Sequence, residues 1–216
     1  MNSKCIVGMF CAVALLIAST AQGQVVNGGF ETASGAYTTG ALGWSDFSAP
    51  ANNGSTASAQ RNLTDPFAGL AELTLTYQNS ANPGIGPSVI GQSDMFGGVS
   101  AGPLTLSFEA KHVVTGTENN QVQVQWFDAS NTFLGATGFS SFNPTLTGAY
   151  SLQTKNYVAP LNTAKALVQF LQAGGAVAND TATVRIDNVT LVPEPTSLAL
   201  VGLGALSLML FRRQRK

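Results

Sequence analysis

The sequence predicts an all-β body, an antiparallel β-sandwich, set between a cleavable N-terminal signal helix and a C-terminal transmembrane helix. Three observations lead there. Apolar and polar residues alternate with period two in several interior segments, the spacing that sends one set to a core and the other to solvent or a groove. Clusters of Gly, Asn and Pro separate these segments, and each cluster suits a turn. Long uncharged apolar runs stand near the two ends of the chain, Cys5–Ala18 and Leu198–Phe211.

Taken in order, the chain opens with Met1-Asn2-Ser3-Lys4, one positive charge ahead of the first apolar run. That run is shorter than the roughly 20 residues that cross a bilayer. Ala21 and Gly23 follow it, small residues two apart, as signal peptidase requires. Cleavage is expected after Gly23, or else after Ala21, so residues 1–23 form a signal peptide. Residues 24–192 form the body. Leu73, Leu75 and Tyr77 alternate with Glu72, Thr74 and Thr76. Leu104, Leu106, Phe108 and Ala110 alternate with Thr105, Ser107, Glu109 and Lys111. Val122, Val124 and Trp126 alternate with Gln121, Gln123 and Gln125. Asp128-Ala129-Ser130-Asn131 reads as a hairpin turn between Trp126-Phe127 and Phe133-Leu134. Ala166–Leu171 reads as a more buried strand, and Thr183–Leu191 closes the body. Gly/Asn/Pro clusters at 51–54, 82–84 and 174–175 punctuate these segments. Many short strands with such spacing favour a sandwich.

Residues 193–216 form the tail. Pro193-Glu194-Pro195 begins it, and each proline lacks a backbone donor and fixes its own φ. The Leu198–Phe211 run makes a helix of about 21 Å, a short span that flanking basic residues and local thinning accommodate. Arg212, Arg213, Arg215 and Lys216 follow and are expected on the cytoplasmic side. The body then lies outside the inner membrane.

Composition bounds the body further. It holds ten acidic and five basic residues, a net −5, whereas the whole chain is at −1 because the ends are basic. An acidic body disfavours nucleic acid, whose phosphates need basic partners. Both cysteines, Cys5 and Cys11, lie in the signal segment. The body therefore forms no disulfide and no thiolate metal site.

Two resemblances follow from these residues. The tail, with Pro193-Glu194-Pro195, a Gly-containing apolar run and an Arg-rich terminus, resembles the PEP-CTERM sorting signal. That implies processing near Pro193, Glu194 and Pro195 by an exosortase-type membrane peptidase, after transient anchoring in the inner membrane. It also implies a Gram-negative-type host that makes exopolysaccharide, with the product at the cell surface or in the extracellular matrix. The body opens with Asn27-Gly28-Gly29-Phe30-Glu31 and closes with Ile186-Asp187-Asn188-Val189. These segments, with the Trp126–Leu134 hairpin, resemble the galactose-binding-like jelly roll of carbohydrate-binding modules. The resemblance implies a jelly-roll sandwich, a non-catalytic role and polysaccharide as partner. It also implies a structural Ca²⁺ held by Glu31 and Asp187 with backbone carbonyls. Ca²⁺ takes six to eight oxygens, so two carboxylates alone are not a site; read by themselves, both residues equally suit a polar strand edge.

Sugar binding needs aromatic faces for C–H surfaces and planar amides for hydroxyls. Gln121, Gln123 and Gln125 form one polar row, and Glu109 with Lys111 forms another. Tyr37, Phe96, Tyr150 and Tyr157 fall in loops or near strand ends, while Trp44 and Trp126 read as core. No ligand-binding residue is singled out by this pattern, and a plain soluble sheet face explains the Gln row as well. His112, the single histidine, reads as a surface residue and leaves no zinc set. No Gly-x-Ser-x-Gly marks a nucleophile, and no carboxylate pair is marked for glycoside hydrolysis. The body is therefore expected to be a binding module rather than an enzyme. A structural matrix protein without a specific ligand is the other reading, and a glycoside-active enzyme a more distant third.

Overall fold

A computed structural model describes residues 25–34, 37–51, 53–142 and 148–193. The signal helix, the transmembrane helix, Glu194 and Pro195 fall outside the described residues. In chain order the strands are β1 (Ala33–Ser34), β2 (Tyr37–Ala41), β3 (Trp44–Asp46), β4 (Thr56–Asn62), β5 (Glu72–Gln78), β6 (Ser88–Ser93), β7 (Phe96–Gly97), β8 (Gly102–Val114), β9 (Asn119–Phe127), β10 (Phe133–Ala136), β11 (Ser140–Ser141), β12 (Ser151–Ala159), β13 (Lys165–Ala173) and β14 (Thr181–Pro193). No α-helix occurs among the described residues, and none of them forms a helix long and apolar enough to cross a membrane.

Two antiparallel sheets face each other. The first runs β10-β9-β13-β6-β3, with β11 on β9 and β7 on β13. The second runs β12-β8-β14-β5-β4. Alternation in β8 and β9 comes out as read: Leu104, Leu106, Phe108, Ala110, Val122, Val124 and Trp126 are all buried. Between the sheets, Phe108 meets Phe142 at 4.9 Å and Phe170 at 5.0 Å between ring centroids. Phe170 also stacks on Trp44 at 5.9 Å, and Trp44 meets Phe30 at 4.9 Å. These stacked, tilted and edge-on contacts suit the ring quadrupole. They tie the opening turn, the first sheet and the second sheet into one core.

The Asp128 hairpin forms as the sequence indicates. Its carboxylate accepts from the backbone N–H of Ser130 and of Thr132, each at 2.8 Å, an Asx-type turn. Asn131 takes a φ of 69°, which asparagine tolerates better than most residues.

The structure also changes some expectations. His112 is 6 % exposed, not a surface residue. It points inward with Ala110 and Phe108, and its Nε2 lies 3.0 Å from the buried Glu118 carboxylate. β14 ends at the first proline of the tail, as its missing donor suggests: Pro193 pairs with Leu104 as the last residue of the strand. The closing position of a strand is one of the few that tolerate a missing donor.

Candidate functional site

The first and last segments of the body meet at a tight seam. Val189 donates its backbone N–H to Gly28 O at 2.9 Å, and a Cβ on Gly28 would lie 2.1 Å from Val189 O. Only glycine allows that approach. Opposite, β14 bulges between Asp187 and Thr190, with Asn188 at φ 52°. Phe30 is held at φ 55°, a strained value for an aromatic residue. Its carbonyl and that of Glu31 accept from Arg61 Nε at 2.6 Å and Nη2 at 2.9 Å.

Glu31 and Asp187 lie on this seam, and both reach the segment 67–70. Glu31 accepts the Leu70 N–H at 2.9–3.0 Å. Asp187 accepts from Ala68 N at 3.0 Å and Asn188 N at 2.6 Å. A Cβ on Gly29 would fall 3.9 Å from Asp187 Oδ1 and 4.0 Å from Glu31 Oε1. Asp187 is fully buried. Burial raises its pKa, Glu31's charge adds to the rise, and the surrounding N–H groups pull the other way. Neither carboxylate takes part in an ion pair among the described residues. The seam thus brings two carboxylates together, with Arg61 the cation beside them, bound to the backbone carbonyls of Phe30 and Glu31 rather than to either carboxylate. Two hard oxygen donors beside a strained, carbonyl-rich turn fit the donor chemistry of Ca²⁺. Among the described residues no group of three or more His, Cys, Asp or Glu side chains is placed to hold an ion, so backbone carbonyls would have to complete the shell.

The outer face of the second sheet is covered around Lys111 and Arg185, while Leu152, Thr154, Asn156 and Val158 of β12 stay exposed on it. The segment 63–71 folds across it as a strap. Asp65 pairs with Lys111 and, at 3.1 Å, with Arg185. Lys111 sits over the Tyr150 ring, 4.3 Å from its centroid. Tyr150 donates its hydroxyl to Asp65 O at 2.9 Å and meets Phe67 edge-on at 5.6 Å. Lys111 is consequently 3 % exposed, and the Glu109–Lys111 row is not available as a sugar-binding face. Beneath the strap, burial raises the pKa of Glu72, against the pull of Arg185. Burial raises Glu109 as well, with Asp187's charge adding to it.

The outer face of the first sheet is open. Gln169 is in register with Gln92 on one side and Gln123 on the other, and Gln92 with Ser45. Period-two alternation therefore lays Ser45, Gln92, Gln169 and Gln123 in one row across four strands. Gln169 donates to Gln92 Oε1 at 3.1 Å. Gln125 donates to Gln123 Oε1 at 3.4 Å, and Gln123 donates to Thr137 O at 2.8 Å. These bonds orient the amides, yet each amide has two donors and two acceptor sites, so capacity remains for hydroxyls. The same alternation puts Phe47 beside β6 at one edge and Phe139 beside β9 at the other. They are 58 % and 41 % exposed. Four strand spacings separate those edges, about 19 Å, room for several sugar rings.

Sequence reading found the Gln121–Gln125 row but missed Gln92, Gln169, Phe47 and Phe139. Gln169 stood in a segment read as simply buried, and Phe47 and Phe139 lie outside any alternating run. Of the aromatics named from sequence, Phe96 is buried and Tyr157 is partly buried against the core. Tyr150 belongs to the strap's anchor. The Tyr37 side chain lies outside the described residues.

Residues 191–216 match the PEP-CTERM protein-sorting motif, a signal for export to the cell envelope or surface. No curated protein matches the chain in sequence. Among solved structures, the enzymatically active domain of bacteriophage CBA120 tailspike protein 4 superposes with a TM-score of 0.51 at 12 % identity, over 76 % of this chain and 20 % of that one. The chain thus spans about a fifth of the tailspike chain's length. The CBM22-1-GH10 modules of a Clostridium thermocellum endo-1,4-β-D-xylanase, complexed with xylohexaose, give a TM-score of 0.47 at 17 % identity, over 80 % and 29 % of the two chains. A xylan-binding domain from carbohydrate-binding module family 22 gives 0.46 at 14 % identity, over 79 % and 95 %. At 12 % identity the likeness to the tailspike domain is one of fold alone.

Proposed function

We propose that the body is a non-catalytic polysaccharide-binding module, exported by its signal peptide and held at the inner membrane by its tail. An exosortase-type peptidase then processes the tail near Pro193-Glu194-Pro195, and the product acts at the cell surface or in the extracellular matrix. The observation that carries the binding reading is the open amide row Gln92–Gln169–Gln123 between Phe47 and Phe139. Amides supply paired donors and acceptors for ring hydroxyls, and exposed rings supply flat apolar surface for the C–H side of a sugar. On the other sheet the strap covers the charged row of Lys111 and Arg185, and the exposed β12 row there holds no ring comparable to Phe47 and Phe139. Soluble xylan, a probe suggested by the names of the structural neighbours, and the host's own exopolysaccharide are the ligands to try. Affinity electrophoresis of the body in gels containing each is expected to show retardation by one of them. Unretarded migration in every gel, the host's polymer included, removes the binding reading and favours a structural matrix protein.

At the seam, Glu31 and Asp187 are the residues that would hold a structural Ca²⁺, with carbonyls of the opening turn. The ion would offset their mutual repulsion and tie the first segment to the last in a body without disulfides.

A further inference from the structure

The last strand constrains how the body sits against the membrane. β14 ends at Pro193, in register with Leu104 near the start of β8. Four residues, 194–197, separate Pro193 from the uncharged run that begins at Leu198. Fully extended, that connection reaches at most about 17 Å, of which the polar interface of a bilayer takes about 5–8 Å. The strands β8 and β14, each 13 residues long, run about 43 Å. The linker is too short to hold a domain of that size clear of the surface.

The register identifies what else lies at this end. Ala159 pairs with Gly102, and both Lys165 and Phe133 pair with Phe127. The turn 160–164 and the starts of β10 and β13 therefore share an end with Pro193. Exposed here are Leu161 at 83 %, Val158 at 75 % and Phe133 at 56 %. The charged groups of these turns are already engaged. Asp128 accepts from Ser130 and Thr132, and Lys165 donates to Ala129 O at 3.0 Å and Asn131 Oδ1 at 2.5 Å. Laying either sheet face on the membrane would instead desolvate the glutamine row or the charged strap, at a cost in polar hydration.

We infer that, while the tail is inserted, the sandwich stands end-on upon the same bilayer, with Leu161, Val158 and Phe133 seated among the lipid headgroups. This rests on the anchoring reading above. It leaves both sheet faces upright, so the Gln169 row stays open sideways to polysaccharide before the tail is cut.

The test uses the signal-processed chain with its tail, reconstituted into vesicles of phosphatidylethanolamine and phosphatidylglycerol. The cysteines of the sequence lie at 5 and 11, so Leu161→Cys and Ile85→Cys each give one labelling site. Ile85, 56 % exposed, lies in the connection to Ser88, which pairs with Ala173 at the opposite end of β13. With a quencher on the lipid headgroups, a fluorophore at 161 is expected to be quenched several-fold more than one at 85. Adding Val158→Asp and Phe133→Asp is expected to narrow that difference without loss of flotation. If the chain floats with the vesicles and the two sites are quenched alike, the end-on posture is wrong and anchoring stands. If the chain does not float, anchoring itself fails and the posture with it. Cross-linking between two copies through position 161, without headgroup quenching, makes a second copy the occupant of this patch and overturns the lipid assignment.

Discussion

Asp187 is a buried carboxylate under electrostatic tension. It is buried, its pKa is raised by desolvation and by Glu31, and no ion pair among the described residues relieves it. A raised carboxylate pKa means the folded state holds the proton more tightly than the unfolded one. Stability drawn from this group is full below the unfolded value of about 4 and falls as pH rises through the folded value. In chelator at pH 7, Asp187→Asn is therefore expected to melt no lower than the parent. With millimolar Ca²⁺ the order is expected to reverse: the parent's melting temperature rises, while Glu31→Ala and Asp187→Asn do not respond. An unchanged parent melting temperature takes the ion out of the account. Gly69 is a second pressure point. At φ 67° its added Cβ would sit 2.0 Å from Glu31 Oε1, so Gly69→Ala is expected to cost about 1–2 kcal/mol in urea unfolding. Glu31 and Asp187 were singled out only through the resemblance carried by the short motifs that contain them, and the structure brings both to the segment 67–70. Gly69 was not legible in the sequence, since its role depends on a contact 38 residues away.

The strap 63–71 covers the charged row of the second sheet's outer face. Its hold is Asp65, whose pKa is lowered chiefly by the Lys111 hydrogen bond, against some desolvation, and by the charges of Lys111 and Arg185. A lowered pKa gives stability that is present above the unfolded carboxylate range and lost as pH falls through the folded value. Asp65→Ala is expected to speed hydrogen exchange at the Ala68 and Leu70 amides at pH 7, with the β9 and β13 amides unchanged. Equal protection in parent and variant would mean that Phe67 and Tyr150 hold the strap without it. No local pattern announces such an element, because its partners come from β8, β14 and the approach to β12. Two strands were hidden for other reasons. The inward positions of β6 include Gly91, whose missing side chain makes room for Leu73 and Leu75. β12 is an edge strand with Leu152 and Val158 facing out, so its apolar positions misreport its core face. β8 and β9 were readable because both of their faces obey the alternation.

Over the whole molecule, function divides between the ends and the middle. The first and last segments of the body meet at the seam, and β14 continues from Val189 to Pro193, where the sorting motif begins in sequence. The sandwich between them offers one face partly covered by the strap and one lined by the glutamine row. The core that fixes this shape centres on Phe170, which touches Trp44, Phe108 and Phe142. Phe170→Ala is expected to cost about 3–5 kcal/mol. Variants on the open face make the cleaner functional probe, since Phe139, Phe47 and Gln169 lie outside that core. The central claim is that this open face binds polysaccharide, and affinity electrophoresis of parent, Gln169→Ala and Phe47→Ala/Phe139→Ala bodies tests it most directly. The account expects a polysaccharide that retards the parent, with retardation reduced about tenfold or more by each change at unaltered melting temperature, as for losing about 1.4 kcal/mol or more of binding. Retardation of all three proteins to the same extent would contradict it and place the ligand elsewhere.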